Sequence, residues 1–319
     1  MRLGFAVKVL GRAGLKEHDS RRWQNSPHLS VSLAYLRDIF EYLRAQEIGL
    51  YRMSSELAPY LTHPDMPQFH RQIEECSADL ATIGAQARQD GLRLSFHPSQ
   101  YVVLNAPDEA LAARGALEVS ALAAMLDRMA LGPEAVIVVH VGGLYEDVET
   151  ARARFAQRFE RLPEAARRRL ALENDDTRFG VADTLWISQR TGVRLIFDNL
   201  HHHIHNPQRL PLREALACCL ATWPATIRPK VHFSSPRTEM RVADHLDPQT
   251  GRRVQVLQAP LWTRHSDYIH PFEFIDFVRA AQGLRDFDVM LEAKAKDLAL
   301  LRLRADLARF APDLLGGVL

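Results

Sequence analysis

Cysteine is scarce in this chain of 319 residues. Only Cys76, Cys218 and Cys219 occur, and none has the spacing of a zinc ribbon or of a redox CxxC motif. So few cysteines argue against a disulfide framework, and an odd number without a pattern is typical of a reducing cytoplasm.

Long apolar runs and an excess of charge of one sign are also missing. No stretch approaches the roughly 18 apolar residues that a membrane span needs. The beginning, MRLGFAVKVLG, predicts a first strand rather than a signal peptide. The net charge is +1, so the overall balance does not indicate a nucleic-acid partner. From these absences we expect a cytoplasmic protein that does not associate with membranes.

What the sequence does contain is a strand–helix alternation repeated eight times. The predicted strands are short and nearly continuous in hydrophobicity, as expected of strands buried on both faces. They cover residues 2–7, 48–54, 93–97, 135–141, 169–174, 193–198, 229–234 and 287–292. The pattern favours an α/β fold in which one domain, residues 1–319, forms a single (β/α)8 TIM barrel. A doubly wound open sheet is the competing layout.

One segment interrupts this alternation. Residues 237–267 follow the seventh predicted strand and are polar, with scattered proline and glycine. We interpret them as a long loop over the carboxyl ends of the strands, where barrel loops usually carry function.

Residues able to bind a metal stand at the ends of most predicted strands. In chain order they are His97, His140, Glu173, Asp198, His232 and Glu292. Because the carboxyl ends of barrel strands converge on one face, we predict a metal site there. Imidazole nitrogen combined with carboxylate oxygen suits Zn²⁺ or Mn²⁺. Sites with two or three such ions are common where a phosphodiester is cut, because paired ions stabilise the attacking and the leaving oxygen.

Lys230 has the same strand parity as His232, so both side chains are predicted to point into the barrel. A buried ammonium group is costly. Lys230 therefore needs a carboxylate neighbour or a covalent change of its own.

Eight segments across most of the chain resemble, in order, those of the ultraviolet-damage endonuclease family. They are YRMSSELAPYLTHP (51–64), LSFHPSQYVVLN (94–105), HVGG (140–143), LENDD (172–176), FDNLHH (197–202), KVHFSSPR (230–237), HSDYI (265–269) and LEAKAKD (291–297). The resemblance implies a metal-dependent TIM-barrel DNA repair nuclease, related in fold to the endonuclease IV group. It would incise DNA immediately 5′ of cyclobutane pyrimidine dimers and 6–4 photoproducts, with abasic sites as a further substrate, leaving a 3′-hydroxyl and a 5′-phosphate.

The resemblance also implies site residues. The implied metal ligands are His97, His140, Glu173, Asp198, His201, His232, His265 and Glu292. Glu173 would bridge two ions, and Glu173, Lys230 and Glu292 would be catalytic. We expect three divalent ions, with Mn²⁺ favoured over Zn²⁺ or Co²⁺. His63 is an additional implied site residue, and Lys230 matches a lysine that can be carboxylated.

A second implied group recognises the damaged duplex. Gln100 and Tyr101 match the pair that wedges into DNA at the lesion. Where the family commonly has Tyr and then Asn near the first strand, this chain has Phe5 and Val9. Phe5 can still stack on a base, so we expect it to contact DNA, with a changed preference among lesions.

Arg52 and Arg237 are candidate phosphate contacts, or alternatively members of structural ion pairs. The expected partner is double-stranded DNA that contains ultraviolet lesions, and no obligatory protein partner is indicated. We expect metal-assisted hydrolysis in which a water at Glu173 attacks the phosphorus, without a side-chain nucleophile.

Two other functions stay open at this point. A sugar isomerase or epimerase of the xylose-isomerase-like group shares the barrel and the metal shell, but it would not need Gln100 and Tyr101. A non-catalytic damaged-DNA-binding protein would not need eight ligands. Each histidine alone would more often be a core residue, but their shared position at strand ends favours metal binding.

Overall fold

The protein, in a computed structural model that describes residues 1–317, is built from parallel strands that alternate with helices. The central strands are β1 (Leu3–Ala6), β2 (Leu50–Arg52), β3 (Arg93–Ser95), β4 (Ile137–His140), β5 (Leu170–Glu173), β6 (Arg194–Ile196), β7 (Lys230–Phe233) and β12 (Asp288–Leu291). The helices are α1 (Leu29–Ala45), α2 (Gln72–Glu75), α3 (Ser77–Gln89), α4 (Glu109–Arg128), α5 (Val148–Arg161), α6 (Glu164–Arg169), α7 (Val181–Thr191), α8 (Asn199–Ile204), α9 (Leu212–Ala221), α10 (Pro271–Ala280) and α11 (Lys296–Phe310). Short 3₁₀ turns cover Trp23–Asn25, Pro67–Phe69 and Pro312–Gly317.

The central strands lie in two curled parallel sheets. One has the order β3-β2-β1-β12-β7 and the other the order β4-β5-β6. Single parallel bridges connect the two sheets, one between Phe96 and Ile137 and one between Asp198 and His232. Each of the eight predicted strands contains an observed one, so the α/β fold with parallel strands is confirmed.

A buried ion pair fills the amino-terminal end of the strands. Arg93 Nη1 donates to Asp288 Oδ2 at 3.0 Å and to the carbonyl of Arg228 at 2.9 Å. The Trp223 ring covers the Arg93 guanidinium, 5.6 Å from the ring centroid, and that of Arg194, at 5.0 Å. These contacts pack the amino-terminal end of the sheet around buried charge, and the predicted metal-binding residues stand at the opposite, carboxyl-terminal end.

The segment predicted as a long loop over residues 237–267 forms strands instead. They are β8 (Pro236–Arg237), β9 (Arg241–Leu246), β10 (Arg253–Gln258) and β11 (Leu261–His265), and they pair antiparallel as β9–β10 and β8–β11. The β9–β10 turn carries its own signal. The Asp247 side chain accepts a hydrogen bond from Gln249 N at 2.8 Å, and Gly251 has φ of +65°. Such Asx and glycine geometry is typical of tight turns.

No helix in residues 1–317 is long and apolar enough to cross a membrane. Helix α6 follows α5 between β4 and β5, and helix α8 precedes α9 between β6 and β7. Helix α8 matters most for the site, because it carries His201, His202 and His203, part of the histidine run 201–205 that follows β6.

Candidate metal centre

The register of the parallel strands brings the predicted ligands to one level. His140 in β4 lies opposite Glu173 in β5. Met290 in β12 lies opposite His232 in β7, and Asp198, after β6, is bridged to that same histidine. Strand pairing therefore fixes the relative heights of these side chains at the carboxyl end of the sheets.

Glu173 lies at the centre of the site, and its side chain is fully buried. Its Oε2 is 3.0 Å from His97 Nε2 and 3.7 Å from His140 Nε2. Its Oε1 is 2.9 Å from His232 Nδ1 and 3.6 Å from His201 Nδ1. One carboxylate thus contacts four imidazoles that come from four different parts of the chain.

A second carboxylate, Glu292, follows β12. Its Oε1 is 3.3 Å from His232 Nδ1 and accepts a hydrogen bond from Arg52 Nη1, while its Oε2 is 3.7 Å from His265 Nδ1. Arg52 therefore belongs to an ion pair inside the site, which is one of the two roles considered for it.

Two groups of side chains could each hold a metal ion. In each group the potential ligand atoms all lie within 4.8 Å of one another; the groups are His97, His140 and Glu173, and Glu173, Asp198, His232 and Glu292. Glu173 belongs to both groups. A carboxylate shared in this way has one oxygen for each of two cations.

The electrostatics keep both glutamates ionised. Burial tends to raise the pKa of Glu173, but His232 and His140 outweigh burial and hold this pKa well below its usual range. Burial also tends to raise the pKa of Glu292. Arg52 and His232 outweigh burial and hold this pKa well below its usual range. The protein thus holds two negative charges side by side in a buried place.

Asp198 and His201 form a pair beside these glutamates. Burial raises the pKa of Asp198, and the field of His201 opposes that rise. Burial tends to lower the pKa of His201, but Asp198 and Glu173 outweigh burial and raise it to about 9. Without a metal, the negative charge is therefore balanced in part by a protonated imidazole.

The residues present fit divalent cations. The Asp198 Oδ2 atom is buried and has no hydrogen-bond partner in the described part of the chain, although buried polar atoms are nearly always paired. The surrounding donors are imidazole nitrogens and carboxylate oxygens, a set that suits Zn²⁺ or Mn²⁺. Clustered charge and an orphan carboxylate oxygen are what a bound cation would neutralise.

Helix α8 orients one member of the histidine run towards the site. Asp198 caps this helix, because its side chain accepts a hydrogen bond from His201 N at 2.8 Å. The His201 ring lies 5.8 Å from the His140 ring and 6.1 Å from the His265 ring. The eight predicted ligand residues are thus brought into one contact network.

The neighbouring histidines turn away from this network. His202 contacts the carbonyl of Leu210 at 3.1 Å, and His203 contacts that of Asn199 at 2.8 Å. These hydrogen bonds account for the orientation of both rings without any role as metal ligands.

Lys230 is fully buried below the site, two residues before His232. Its ammonium donates to Ser95 Oγ at 3.1 Å, and among the described residues it makes no ion pair. Burial, with the nearby Arg93 and Arg52, lowers the pKa of Lys230 well below its usual range. No carboxylate oxygen therefore lies within ion-pair distance of Lys230 in the described part of the chain, and burial favours the neutral amine over the ammonium form.

A cavity of about 920 Å³ opens over the site. The glutamine and tyrosine predicted as a DNA wedge stand on its rim, and Tyr101 is 78% exposed. Basic side chains also line it, namely Arg52, Arg178, Arg264, Lys294 and Lys296. An open, partly basic cleft with a protruding aromatic side chain can accept a polyanion that carries stacked rings.

Phe5 and Val9 are not placed as expected. Phe5 is fully buried, and its ring packs edge-on against Tyr51 at 5.4 Å between centroids. Val9 is also part of the core. The prediction that Phe5 stacks on a base is therefore wrong for this structure, because both faces of β1 are covered.

His63 lies apart from the metal-binding groups. Its ring packs against Tyr60 at 6.2 Å, and it lines a separate cavity of about 200 Å³ with Thr62 and Glu118. The loop after β2 carries it towards α4 instead of over the strand ends. The implied role of His63 as an additional site residue therefore receives no support from this geometry.

Arg237 is buried, and its Nε and Nη2 atoms have no hydrogen-bond partner in the described part of the chain. Its charge acts on Lys294, whose pKa is lowered first by burial and then by Arg241 and Arg237. An unsatisfied guanidinium beside other basic groups is compatible with a phosphate contact.

Sequence reasoning missed a residue that orients two ligands. Asn174 follows Glu173 directly; its Nδ2 donates to the Asp198 carbonyl at 3.1 Å, its Oδ1 accepts from Asp198 N at 2.9 Å, and its own carbonyl is 3.0 Å from His201 Nδ1. An amide next to a strand-end glutamate was the available signal. The basic lining residues other than Arg52 gave no signal in the sequence.

The sequence was also compared with known proteins. The family described as UV-endonuclease UvdE matches residues 16–312. A protein of Bacillus mycoides (strain KBAB4) named UV DNA damage endonuclease is 35% identical over 274 residues, which cover 85% of this chain and 78% of that protein. A protein of the same name from Bacillus velezensis is 32% identical over 306 residues, which cover 94% of this chain and 89% of that protein.

Solved structures agree with these matches. The structure named SacUVDE superposes with a TM-score of 0.78 at 30% identity, covering 97% of this chain and 98% of its own. A D-psicose 3-epimerase superposes with a TM-score of 0.51 at 15% identity, covering 92% of this chain and 85% of its own. This likeness shows a shared fold and nothing further. The chain therefore belongs to the UV-endonuclease UvdE family, and it is an endonuclease of DNA repair.

Proposed function

We propose that this endonuclease hydrolyses the phosphodiester immediately 5′ of ultraviolet photoproducts, cyclobutane dimers and 6–4 products alike, with abasic sites as a further substrate. The products would be a 3′-hydroxyl and a 5′-phosphate. The observation that carries the proposal is Glu173, shared between two potential metal sites at the base of an open cleft. Paired cations suit phosphodiester cleavage.

We further propose that residues 1–319, of which 318 and 319 lie outside the described residues, form a single domain, with the two sheets as one closed eight-stranded barrel. The bridges between Phe96 and Ile137 and between Asp198 and His232 support this closure. The site then lies at the carboxyl ends of the barrel strands, where TIM-barrel enzymes carry their active sites.

The metal set we propose is three divalent ions, with Mn²⁺ favoured. His97, His140 and Glu173 would hold one; Glu173, Asp198, His232 and Glu292 a second; His201 with His265 a third. The distances within the first two groups support those assignments. The third rests on the short ring separation and on contacts of both histidines with the glutamates.

In the proposed mechanism the side chains hold charge and orientation. Bound divalent ions would supply an acidic water as nucleophile and would offset the charge that develops on the leaving oxygen. Glu173 stays ionised because imidazoles surround it, and Arg52 keeps Glu292 ionised by donating to it. Asn174 fixes the backbone of Asp198. No side-chain nucleophile is needed.

DNA recognition is assigned to the rim. We propose that Gln100 and Tyr101 wedge into the duplex at the lesion and that Arg237 contacts a phosphate. Tyr101 is exposed enough to reach between bases, and inserted side chains unstack DNA most cheaply where a lesion has weakened pairing. Arg52 donates to Glu292 and lines the cleft, and we propose that it contacts a phosphate from this position.

The decisive experiment is incision of an ultraviolet-irradiated duplex oligonucleotide. We expect Mn²⁺ to support a single cut 5′ of each photoproduct, and a chelator to abolish it, because the site residues need cations to offset charge at phosphorus. Elemental analysis of protein purified without chelator should find about three divalent ions, the number that the three proposed ligand groups would hold. Damage-specific binding without any cut would instead favour a non-catalytic binding protein.

Replacing either central glutamate should remove incision. For Glu173→Gln and Glu292→Gln we expect the single-turnover rate to fall roughly a thousandfold or more, since several kcal/mol of charge stabilisation are lost. Binding of damaged duplex should stay within a few fold. Glu118→Gln is the matched control, because Glu118 is largely buried but pairs with Thr62 away from the site. A near-normal rate in either site variant would refute the assignment.

We propose that Lys230 is carboxylated. Because burial lowers the pKa of Lys230, its neutral amine is the form favoured there. That amine can attack carbon dioxide, forming an N–C bond and releasing a proton, which converts a buried amine into a carboxylate close to the site. Incubation with ¹³C-bicarbonate should give a carbamate signal in the ¹³C spectrum that is absent from Lys230→Met. That variant should fold, since methionine fills the same buried space without a charge, and should incise more slowly. An identical spectrum for both proteins would contradict the modification.

Tyr101 provides a separate test of lesion recognition. Tyr101→Ala should weaken binding to damaged duplex by roughly 5- to 100-fold, the range of base–aromatic stacking, and should change binding to undamaged duplex less. Gel-shift or anisotropy titrations measure both. Equal losses for the two duplexes would remove the wedge role.

A further inference from the structure

Tyr145 is an exposed aromatic residue of the cleft that the strand-end pattern does not explain. It lines the same cavity as His140 and Tyr101 and is 47% exposed. It lies in the loop after β4, five positions beyond His140. An aromatic side chain that is exposed at a cleft offers a ring surface on which another ring can stack.

The backbone of Tyr145 is held in an unfavourable conformation. Its φ is +59°, in the left-handed region, which bulky residues rarely adopt and which persists only where the surroundings impose it. Such strain often marks functional positions. The contacts around the ring identify what imposes it here.

Gly143 makes room for the Tyr145 ring, and Gly142 makes room for the Asn105 amide beside it. A Cβ atom added at Gly143 would lie 2.6 Å from the ring carbons of Tyr145, so the ring packs directly on the glycine backbone. Gly142 has φ of +118°, and a Cβ there would overlap the Asn105 amide. The Arg154 guanidinium lies over the ring, 6.0 Å from its centroid. The tyrosine therefore has a fixed support, with the remaining surface facing the cleft.

Asn105 joins this support to the wedge loop. The asparagine is fully buried; its Nδ2 donates to the Gly143 carbonyl at 2.7 Å, and its Oδ1 accepts from Gly143 N at 3.1 Å. Arg154 Nη1 donates to the Asn105 carbonyl at 3.1 Å. Because Asn105 lies four residues after Tyr101, these bonds tie the end of the wedge loop to the turn that carries Tyr145.

We infer that Tyr145 is a second base-stacking residue of this enzyme, one that receives a nucleobase displaced from the damaged duplex while Tyr101 occupies the gap. The inference rests on the proposed function. A base that leaves the stack needs an aromatic or apolar surface to cover it. Tyr145 offers such a surface on a rigid support, within the cleft that also holds the metal-binding side chains.

The experiment measures binding of a duplex with one cyclobutane dimer, and of the undamaged duplex, by anisotropy in the Glu173→Gln background. For Tyr145→Ala we expect a loss on damaged duplex of roughly 5- to 100-fold, and a smaller loss on undamaged duplex. Tyr145→Phe keeps the ring and should bind normally. Tyr268→Ala is the matched control, because Tyr268 is 48% exposed and is not among the described residues that line the cavity.

A second variant and a spectroscopic measurement keep the test decisive if Tyr145→Ala misfolds. Asn tolerates the left-handed region better than Ala, so Tyr145→Asn should fold even if Tyr145→Ala does not. With 2-aminopurine opposite the dimer, the fluorescence change on binding should persist in Tyr145→Phe and shrink in Tyr145→Asn. Losses no larger than those of Tyr268→Ala, or equal losses on both duplexes, would overturn the inference.

The outcomes also separate this inference from the proposed function. If the unsubstituted protein cuts irradiated DNA but Tyr145→Ala binds damaged duplex normally, the stacking role alone is wrong. If the unsubstituted protein does not cut, the proposed function fails, while a selective binding loss in the Tyr145 variants would still support stacking.

Discussion

The structure of the site depends on one buried carboxylate. Glu173 is removed from water, and a buried charge without compensation is strongly unfavourable. Four imidazoles therefore surround it. A second ionised glutamate, Glu292, lies beside it and accepts a hydrogen bond from Arg52. The two carboxylates share His232, so two ionised groups lie side by side beneath the open cleft. Divalent cations are the natural complement of such paired carboxylates.

The two ends of the strand array use buried charge in different ways. At the amino end, Arg93 pairs with Asp288, and Trp223 covers the guanidinium. At the carboxyl end, an Asp198 oxygen has no hydrogen-bond partner among the described residues and lies beneath an open cleft. Lys230 lies between the ends, where burial lowers its pKa. The ion pair makes the amino end structural, whereas the unpaired carboxylate oxygen suits the carboxyl end to binding ions.

Predictions from the sequence failed where the environment of a residue could not be read from its neighbours in the chain. Phe5 was expected to reach DNA, but β1 lies between β12 and β2 and both of its faces are buried, so the ring is buried. The 237–267 segment was read as a loop because it is polar, yet its alternating valines and its Asp247–Gly251 turn form exposed antiparallel strands. His63 follows β2 closely, but its loop bends towards α4.

The sequence by itself determined the parallel α/β fold and the placement of potential metal ligands at strand ends, because short apolar runs and their final polar residues are local patterns with a fixed geometric consequence. The tertiary structure alone decided that Glu173 is shared between two groups, that Arg52 serves Glu292, and that Tyr145 stands over the cleft. Those relations join side chains far apart in the chain, and only the packing of the strands and loops sets their distances.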